Sequence, residues 1–186
     1  MPDFRRYFVA GGTYFFTLVT AGRAPLFADE PARTLLGSMM REERSDAPFE
    51  TVGVVLMPDH LHVIWTLPPG DEDYPSRWQA IKAKFTHEWL AADGAEQRVT
   101  QGYRRQRRRG IWQPRFVEHT IRDELDLHHH ADYIHYNPVK HDYTDDPYKW
   151  AWSSVHLYFD TKGRDWLRAT WKEYPVSSSF GAGWDN

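Results

Sequence analysis

The stretch FETVGVVLMPDHLHVIWTL, residues 49–67, predicts the centre of the fold. Its two halves, 49–57 and 60–67, are rich in β-branched and aromatic residues, a composition that favours strands. Only Pro58 and Asp59 separate them, and this pair suits a tight connection. We therefore predict an antiparallel hairpin, and the period of two along its second strand places His60 and His62 on one face of the sheet.

The remaining elements are predicted from the spacing of apolar residues. They are a strand at 13–20, helices at 29–44, 73–91 and 122–137, and a short edge strand at 111–118. Pro114 favours an edge position because it cannot donate to a ladder, and Pro138 favours the end of the last helix. This order predicts an α+β fold, an antiparallel sheet with helices on one face, of the ferredoxin-like or split βαβ type.

The length of 186 residues fits one domain, which we place at 1–145, with a C-terminal extension at 146–186. The tryptophan-rich part of the extension should pack back on the domain, while the tail SSSFGAGWDN is predicted to be frayed. There is no cysteine, which excludes disulfides and thiol chemistry. We find no signal peptide or membrane span in the sequence and expect a cytoplasmic protein.

The charge distribution is more informative than the net charge of −3. Six arginines and no acidic residue occur between positions 98 and 109. The segment 93–110 also lacks an apolar periodicity, so we predict that it forms a mobile basic loop. Such a loop is either a solvated surface or a phosphate contact. The aromatic content of 16% is compatible with stacking on unpaired bases, although most aromatic residues serve core packing.

Two imidazoles on one sheet face, as predicted for His60 and His62, are a ready pair of ligands for a divalent cation. The same pattern also fits a half-exposed polar stripe. A later helix, DLHHHADYIHYNPVK, adds Tyr133 and Asn137, which lie four residues apart and so project from one helix face. A phenol with a reference pKa of about 10 becomes a useful nucleophile only where a cation stabilises the developing charge.

Three neighbours in this helix leave alternatives open. Tyr136 competes with Tyr133 as nucleophile, although it projects from the helix about 60° away from Tyr133. Asn137 is either a metal ligand or only a helix cap. His128, His129 and His130 could form a metal-binding tract, but we interpret them as helix surface near the site.

At these residues the chain resembles the REP-associated tyrosine transposases, a branch of the HUH single-tyrosine transposases. The matching stretches are RRYFVAGGTYFFT, VVLMPDHLHVIWTLPPGDED, SRWQAIKAKFTHEW, IWQPRFVEHTIRD and HHHADYIHYNPVKH, which cover most of residues 5–143. The resemblance implies that His60 and His62 are the HUH pair, that Asn137 is the third ligand to Mg²⁺ or Mn²⁺, and that Tyr133 attacks single-stranded DNA. The implied product is a 5′-phosphotyrosine intermediate, so that strands can be joined as well as cut.

The resemblance further implies recognition of a palindromic, REP-like DNA hairpin by a bacterial, nucleoid-associated protein. We expect this protein to work as a monomer, with a homodimer as the alternative. The candidate DNA contacts are Arg5, Arg6, Tyr7, Arg77, Lys82, Lys84 and Arg115. The basic loop is longer than the family pattern, and we interpret it as an added phosphate contact.

Two other functions fit the sequence. The chain could hold hairpin DNA without productive cleavage, as a domesticated transposase. It could instead be a metallohydrolase that uses a metal-bound water, although that class usually needs more carboxylate ligands than Asp59 supplies.

Overall fold

The structure, a computed structural model, describes residues 8–106, 108–174 and 180–181. Four strands are present in this part of the chain: β1 (Thr13–Val19), β2 (Glu50–Leu56), β3 (His60–Thr66) and β4 (Val117–Thr120). Its helices are α1 (Glu30–Asp46), α2 (Tyr74–Ala91), α3 (Gln101–Arg105), α4 (Glu124–Lys140), α5 (Val155–Lys162) and α6 (Arg164–Glu173). Short 3₁₀ turns occupy Ala21–Arg23, Leu26–Ala28 and Pro147–Lys149.

The strands form one antiparallel sheet in the order β2-β3-β1-β4. The predicted hairpin is confirmed, with β2 and β3 paired so that Val55 faces His62 in the register. In the central pair, β1 lies beside β3, and Val19 is opposite His60. The chain order and sheet order together give the expected ferredoxin-like βαββαβ arrangement, and the predicted α+β class is confirmed.

Helices cover both faces of this sheet, which corrects the prediction of helices on one face only. Helices α1 and α2 pack on the face that carries Phe16, Leu18 and Trp65. Helix α4 packs on the opposite face, against Phe15 and Ile64. The reason lies in the central strands: six of the seven residues of β1 and of β3 are buried, so both faces of the sheet are apolar and both need a cover.

The second half of the chain departs from the sequence prediction in three ways. Within the predicted loop, Thr100 caps a short helix, α3, by accepting a hydrogen bond from the Tyr103 amide. The edge strand starts only at Val117, because Pro114 interrupts the ladder after an isolated bridge between Trp112 and Thr20. Helix α4 continues to Lys140, through a proline that removes one backbone hydrogen bond without stopping the last turn.

Side-chain caps define the starts of α2 and α4. Asp73 accepts from the Ser76 amide before α2, and Asp123 accepts from the Asp126 amide before α4. Within the described residues, no helix is long and apolar enough to cross a membrane.

Candidate active site

His60 and His62 lie at the start of β3, on the sheet face that α4 covers. Both rings are buried, with exposed fractions of 1% and 0%, and their centroids are 4.8 Å apart. Leu61 between them points into the opposite core, as the period of two requires. The structure therefore brings the two predicted ligands together in an enclosed position.

Oxygen partners fix the orientation of both imidazoles. Nδ1 of His60 is 2.6 Å from a carboxylate oxygen of Asp59, and Nδ1 of His62 is 2.8 Å from the hydroxyl of Thr17. With Nδ1 occupied in this way, Nε2 is the nitrogen of each ring that is suited to ligate a metal. A carboxylate or hydroxyl behind a ligating histidine is the usual arrangement around protein-bound metals.

Asp59 is itself held by the guanidinium of Arg23. The Arg23 guanidinium donates to its other carboxylate oxygen at 2.6 Å. Burial pushes the pKa of Asp59 upward, but the hydrogen bonds and charges of His60 and Arg23 outweigh that effect and hold the pKa below its usual value. Asp59 is therefore ionised at neutral pH and favours the tautomer of His60 that carries its proton on Nδ1.

Asn137 completes the donor set from α4. Its Oδ1 lies 3.2 Å from Nε2 of His60, and its side chain is fully buried. In the tautomer that Asp59 favours, both facing atoms carry lone pairs, so the pair is suited to share a cation. Neighbouring ligands of Mg²⁺ at 2.0–2.1 Å are separated by roughly 3 Å, which matches this spacing. The residues present fit a divalent metal.

Tyr133 lies one helical turn before Asn137, with its ring centroid 5.1 Å from that of His62. Its hydroxyl accepts a hydrogen bond from Nζ of Lys140 at 3.1 Å, and the same ammonium lies 4.6 Å from the ring centroid. A cation at this position stabilises negative charge on the phenol oxygen.

Tyr136, the competing tyrosine, projects away from the histidines. It is 40% exposed and packs edge-on against Trp171, with centroids 4.7 Å apart. Burial of the rest of the ring raises the pKa of its hydroxyl. Of the two tyrosines, only Tyr133 lies beside the metal donor set.

Two residues of the C-terminal tail cover Tyr133, which is only 4% exposed. The ring of Phe180 contacts those of Tyr133, His129 and His130 at centroid distances of 5.9, 5.6 and 5.0 Å. A Cβ at Gly181 would lie 2.4 Å from Cε2 of Tyr133, so no side chain fits there. The prediction of a frayed tail is wrong at these two positions, and the rest of the tail, 175–179 and 182–186, lies outside the described residues.

A second cluster of side chains that can ligate a metal lies at the start of α4, and no spacing pattern in the sequence groups its members. Nε2 of His119 is 2.9 Å from Asp126, whose carboxylate also lies 3.2 Å from Nδ1 of His130. Arg122 donates to the same carboxylate at 2.9 Å and, with His119, holds its pKa far below the usual value despite burial. These contacts tie β4 to α4, and we interpret the cluster as an anchor of the helix.

The candidate DNA contacts differ in how accessible the structure makes them to a ligand. Arg77 is buried and donates to Asp71 and to the carbonyls of Ala47, Pro48 and Asp73, which argues against contact with DNA. Three further candidates, Arg5, Arg6 and Tyr7, lie outside the described residues.

The other candidates lie on or near the surface. Lys84 is paired with Glu42 at 2.8 Å, and further carboxylates of α1 surround it, so its charge is already compensated. Arg115 is exposed. Lys82 is half-buried beside a groove, where Nζ donates to the carbonyl of Gln113 at 2.9 Å.

The sequence prediction missed the residues that support the site: Thr17, Arg23, Asp59 and Lys140. A signal existed for Thr17, since it is a polar residue in the middle of an apolar strand, and for Lys140, which follows Tyr133 by two helical turns. Arg23 could not be found, because its contact depends on how the turn after β1 folds over the hairpin connection.

Comparisons with known proteins point to one family, although no family model matches the chain. It is 40% identical over 156 residues to the REP-associated tyrosine transposase of Escherichia coli K12, covering 84% of each chain. A Haemophilus influenzae protein named for the same family is 39% identical over 156 residues, covering 84% of this chain and 86% of the relative. A solved structure, described as a REP-associated tyrosine transposase bound to a REP hairpin, covers 88% of each chain at 37% identity and a TM-score of 0.73.

Proposed function

Because the chain belongs to the REP-associated tyrosine transposases, we propose that it cleaves and rejoins single-stranded DNA beside a palindromic, REP-like hairpin, with Tyr133 as nucleophile. One observation carries the proposal: α4 places Tyr133 and Asn137 against the His60 and His62 pair. The relative whose structure is solved is described as bound to a REP hairpin, which supports hairpin DNA as the partner.

A divalent cation, Mg²⁺ or Mn²⁺, would be held by Nε2 of His60, Nε2 of His62 and Oδ1 of Asn137. When bound, it supplies positive charge that stabilises the phosphoryl oxygens as negative charge develops on them. Asp59 and Thr17 hold the two rings in the orientation that ligates a metal. Metal binding therefore does not have to order two freely rotating imidazoles, which would cost conformational entropy.

The chemical step exchanges one phosphodiester for another. The phenol oxygen of Tyr133 loses its proton and forms a bond to phosphorus, while the bond from phosphorus to the 3′ oxygen breaks. That oxygen takes up a proton and leaves as a free 3′-hydroxyl, and the 5′ phosphate stays on Tyr133. Attack by a 3′-hydroxyl on this phosphotyrosine runs the step in reverse and joins two strands.

Lys140 is the group that prepares the nucleophile. Its ammonium donates to the phenol oxygen and so favours the charge that this oxygen must develop before attack. A phenol without such a partner is protonated at neutral pH, since its reference pKa is about 10.

The test is covalent capture. The wild-type protein is incubated with a DNA hairpin that carries a single-stranded flank, in Mn²⁺ or Mg²⁺, and a denaturing gel is used to detect a protein-DNA adduct. We expect an adduct that carries a label placed on the DNA 3′ of the cut, the segment whose 5′ phosphate stays on Tyr133, and no adduct with chelator. Cleavage without an adduct would instead identify a hydrolase, and hairpin binding without cleavage would identify a DNA-binding protein; either result overturns the proposal.

A further inference from the structure

A groove of about 770 Å³ lies between α2, α3 and residues 108–114, away from the histidine pair. Its lining includes Lys82, Tyr103, Arg108 and Trp112. None of the described residues that line it is acidic. A groove of this charge attracts anions, because low-dielectric walls strengthen the field of the cations that line them.

Arg108 and Lys82 give the groove its charge. The guanidinium of Arg108 lies over the ring of Tyr103, 5.5 Å from its centroid, and no carboxylate among the described residues forms an ion pair with it. Its neighbour Arg109 differs, because Glu96 accepts two hydrogen bonds from it at 2.8 and 2.7 Å. The positive charge of Arg108 is thus available to a ligand, while that of Arg109 is compensated.

Lys82 and Arg108 are close enough to repel one another. Burial and the nearby charge of Arg108, with burial the larger cause, together lower the pKa of Lys82 to about 8. A bound anion would relieve this repulsion. The positive surface continues into an adjoining cleft of about 310 Å³, where Arg104 joins Arg108 and Arg109 around Glu96.

Tyr103 adds a surface on which a base could stack. Its side chain is 38% exposed and lies on the basic helix α3. Proteins that bind single strands without sequence preference combine a positive groove with exposed aromatic rings in this way. Duplex DNA has its bases stacked internally and makes no use of such a ring.

The segment that lines the groove bonds to β1, which in turn pairs with the strand that carries His60. Trp112 forms a bridge to Thr20, and the Gln113 amide donates to the carbonyl of Val19 at 2.9 Å. Val19 is paired with His60 in the register. Two strand spacings, roughly 10 Å, therefore separate the groove segment from the strand that carries His60. The groove lies on the α2 side of the sheet and the histidines on the α4 side, so a DNA strand that leaves the active site would pass around this edge of the sheet to reach the groove.

We propose that this groove and the adjoining cleft bind the phosphate backbone of the single-stranded DNA that flanks the hairpin, with Arg108 of the groove and Arg104 of the cleft as the phosphate contacts. The inference rests on the proposed function, since it assigns a path to the same substrate. The sequence alone allowed the basic segment at 93–110 to be either a solvated loop or a phosphate contact. The proposal assigns this segment a ligand, single-stranded DNA, and a position relative to the cut.

The test compares two DNA ligands and two double variants in a Tyr133→Phe background, in which binding is measured without cleavage. One ligand is the bare hairpin and the other carries a single-stranded flank. The variant Arg104→Ala with Arg108→Ala removes the proposed contacts. The matched control, Arg41→Ala with Arg44→Ala, removes two exposed arginines of α1.

We expect the flank to strengthen binding, and the Arg104 and Arg108 variant to lose that gain while it still binds the bare hairpin. The slope of log affinity against log salt for the flanked ligand should fall in magnitude by about 1 for each arginine removed, and the control should keep the wild-type slope. An unchanged slope would overturn the inference, as would equal weakening of both ligands or tighter binding of an RNA flank. Failure of the proposed function is separate, since it shows as a lack of adduct in the wild type.

Discussion

Nε2 of His60 and Oδ1 of Asn137 lie 3.2 Å apart, although 77 positions separate the two residues in the chain. The start of β3 and helix α4 therefore contribute side chains to one buried set of metal-ligand candidates. The contact depends on α4 packing across β2 and β3, and it places the tyrosine one turn away. The predictions below test what this contact implies for metal binding, catalysis and stability.

Replacing Asp59 should weaken metal binding without removing a ligand. Asp59→Asn leaves both histidines in place but loses the charge that holds the tautomer of His60. Outer partners of ligating histidines are typically worth 10- to 100-fold in affinity. We expect a loss of about that size for Mn²⁺ in titration calorimetry. Asp145→Asn, an exposed aspartate paired with Lys149, is the control and should bind as the wild type does.

Tyr133→Phe should abolish the covalent adduct, while Tyr136→Phe should keep it. The reason is position: Tyr133 lies beside His62, whereas Tyr136 projects toward Trp171. The measurement is adduct yield on a denaturing gel, with hairpin binding as a check that both variants fold. An adduct that persists in Tyr133→Phe and disappears in Tyr136→Phe would reverse the assignment.

Phe180→Ala should accelerate adduct formation. DNA reaches the hydroxyl of Tyr133 only after Phe180 and Gly181 withdraw, and the variant weakens the aromatic contacts that keep them in place. An aromatic pair is worth about 0.5–1.5 kcal/mol, so the initial rate should rise by roughly 2- to 10-fold. Phe159→Ala, which removes a contact with Tyr148, is the control. An unchanged rate in Phe180→Ala would show that this contact does not limit access.

His119→Ala should lower stability but leave metal binding unchanged. Its imidazole bonds to the buried carboxylate of Asp126, and a hydrogen bond to a charged group is worth about 1.5–3 kcal/mol. Urea unfolding measures the free-energy loss, and Mn²⁺ titration measures the metal. The exposed His87→Ala should change stability by about 0.5 kcal/mol or less. A loss of Mn²⁺ binding in His119→Ala would move the metal to this second cluster.

Asp132 should contribute a loss of stability as the pH rises from about 4 to about 7, opposite in sign to the contribution of buried His130 and His135, whose pKa values burial lowers to about 4. Burial raises the pKa of the Asp132 carboxyl to about 7 from an ordinary value of 3.8. Between these values the folded chain holds a proton that the unfolded chain has released, so raising the pH favours unfolding. Asp132→Asn should remove this contribution, so that the melting temperature rises more steeply between about pH 4 and about pH 7 than in the wild type, and it should raise stability at pH 8. The exposed Asp160→Asn should leave the slope in place, and an unchanged slope in Asp132→Asn would contradict the assignment.

The sequence predicted the βαββαβ core well because its elements depend on local patterns. The alternation in 60–67 and the apolar face of 73–91 each specify an element without reference to the rest of the chain. The side of the sheet that α4 covers was not predictable in this way. Helix α4 covers the face that carries Phe15 and Ile64. Because the central strands are apolar on both faces, their sequence does not indicate which helix covers which face.

The same distinction applies to the site. His60, His62, Tyr133 and Asn137 could be named in advance from spacing and from resemblance to a family. The supporting contacts of Arg23 and Thr17 depend on tertiary packing, and so does the cover that Phe180 provides. Arg77 shows the opposite failure, because a cation on a predicted helix was expected at the surface and is instead buried, where it donates to three backbone carbonyls.

All four groups of the proposed reaction centre belong to a single polypeptide, with the tyrosine helix folded back onto its own sheet. Catalysis should therefore follow first-order kinetics in protein, and the specific activity should not decline on dilution. Mixing with an excess of Tyr133→Phe copies should not poison active molecules beyond competition for DNA.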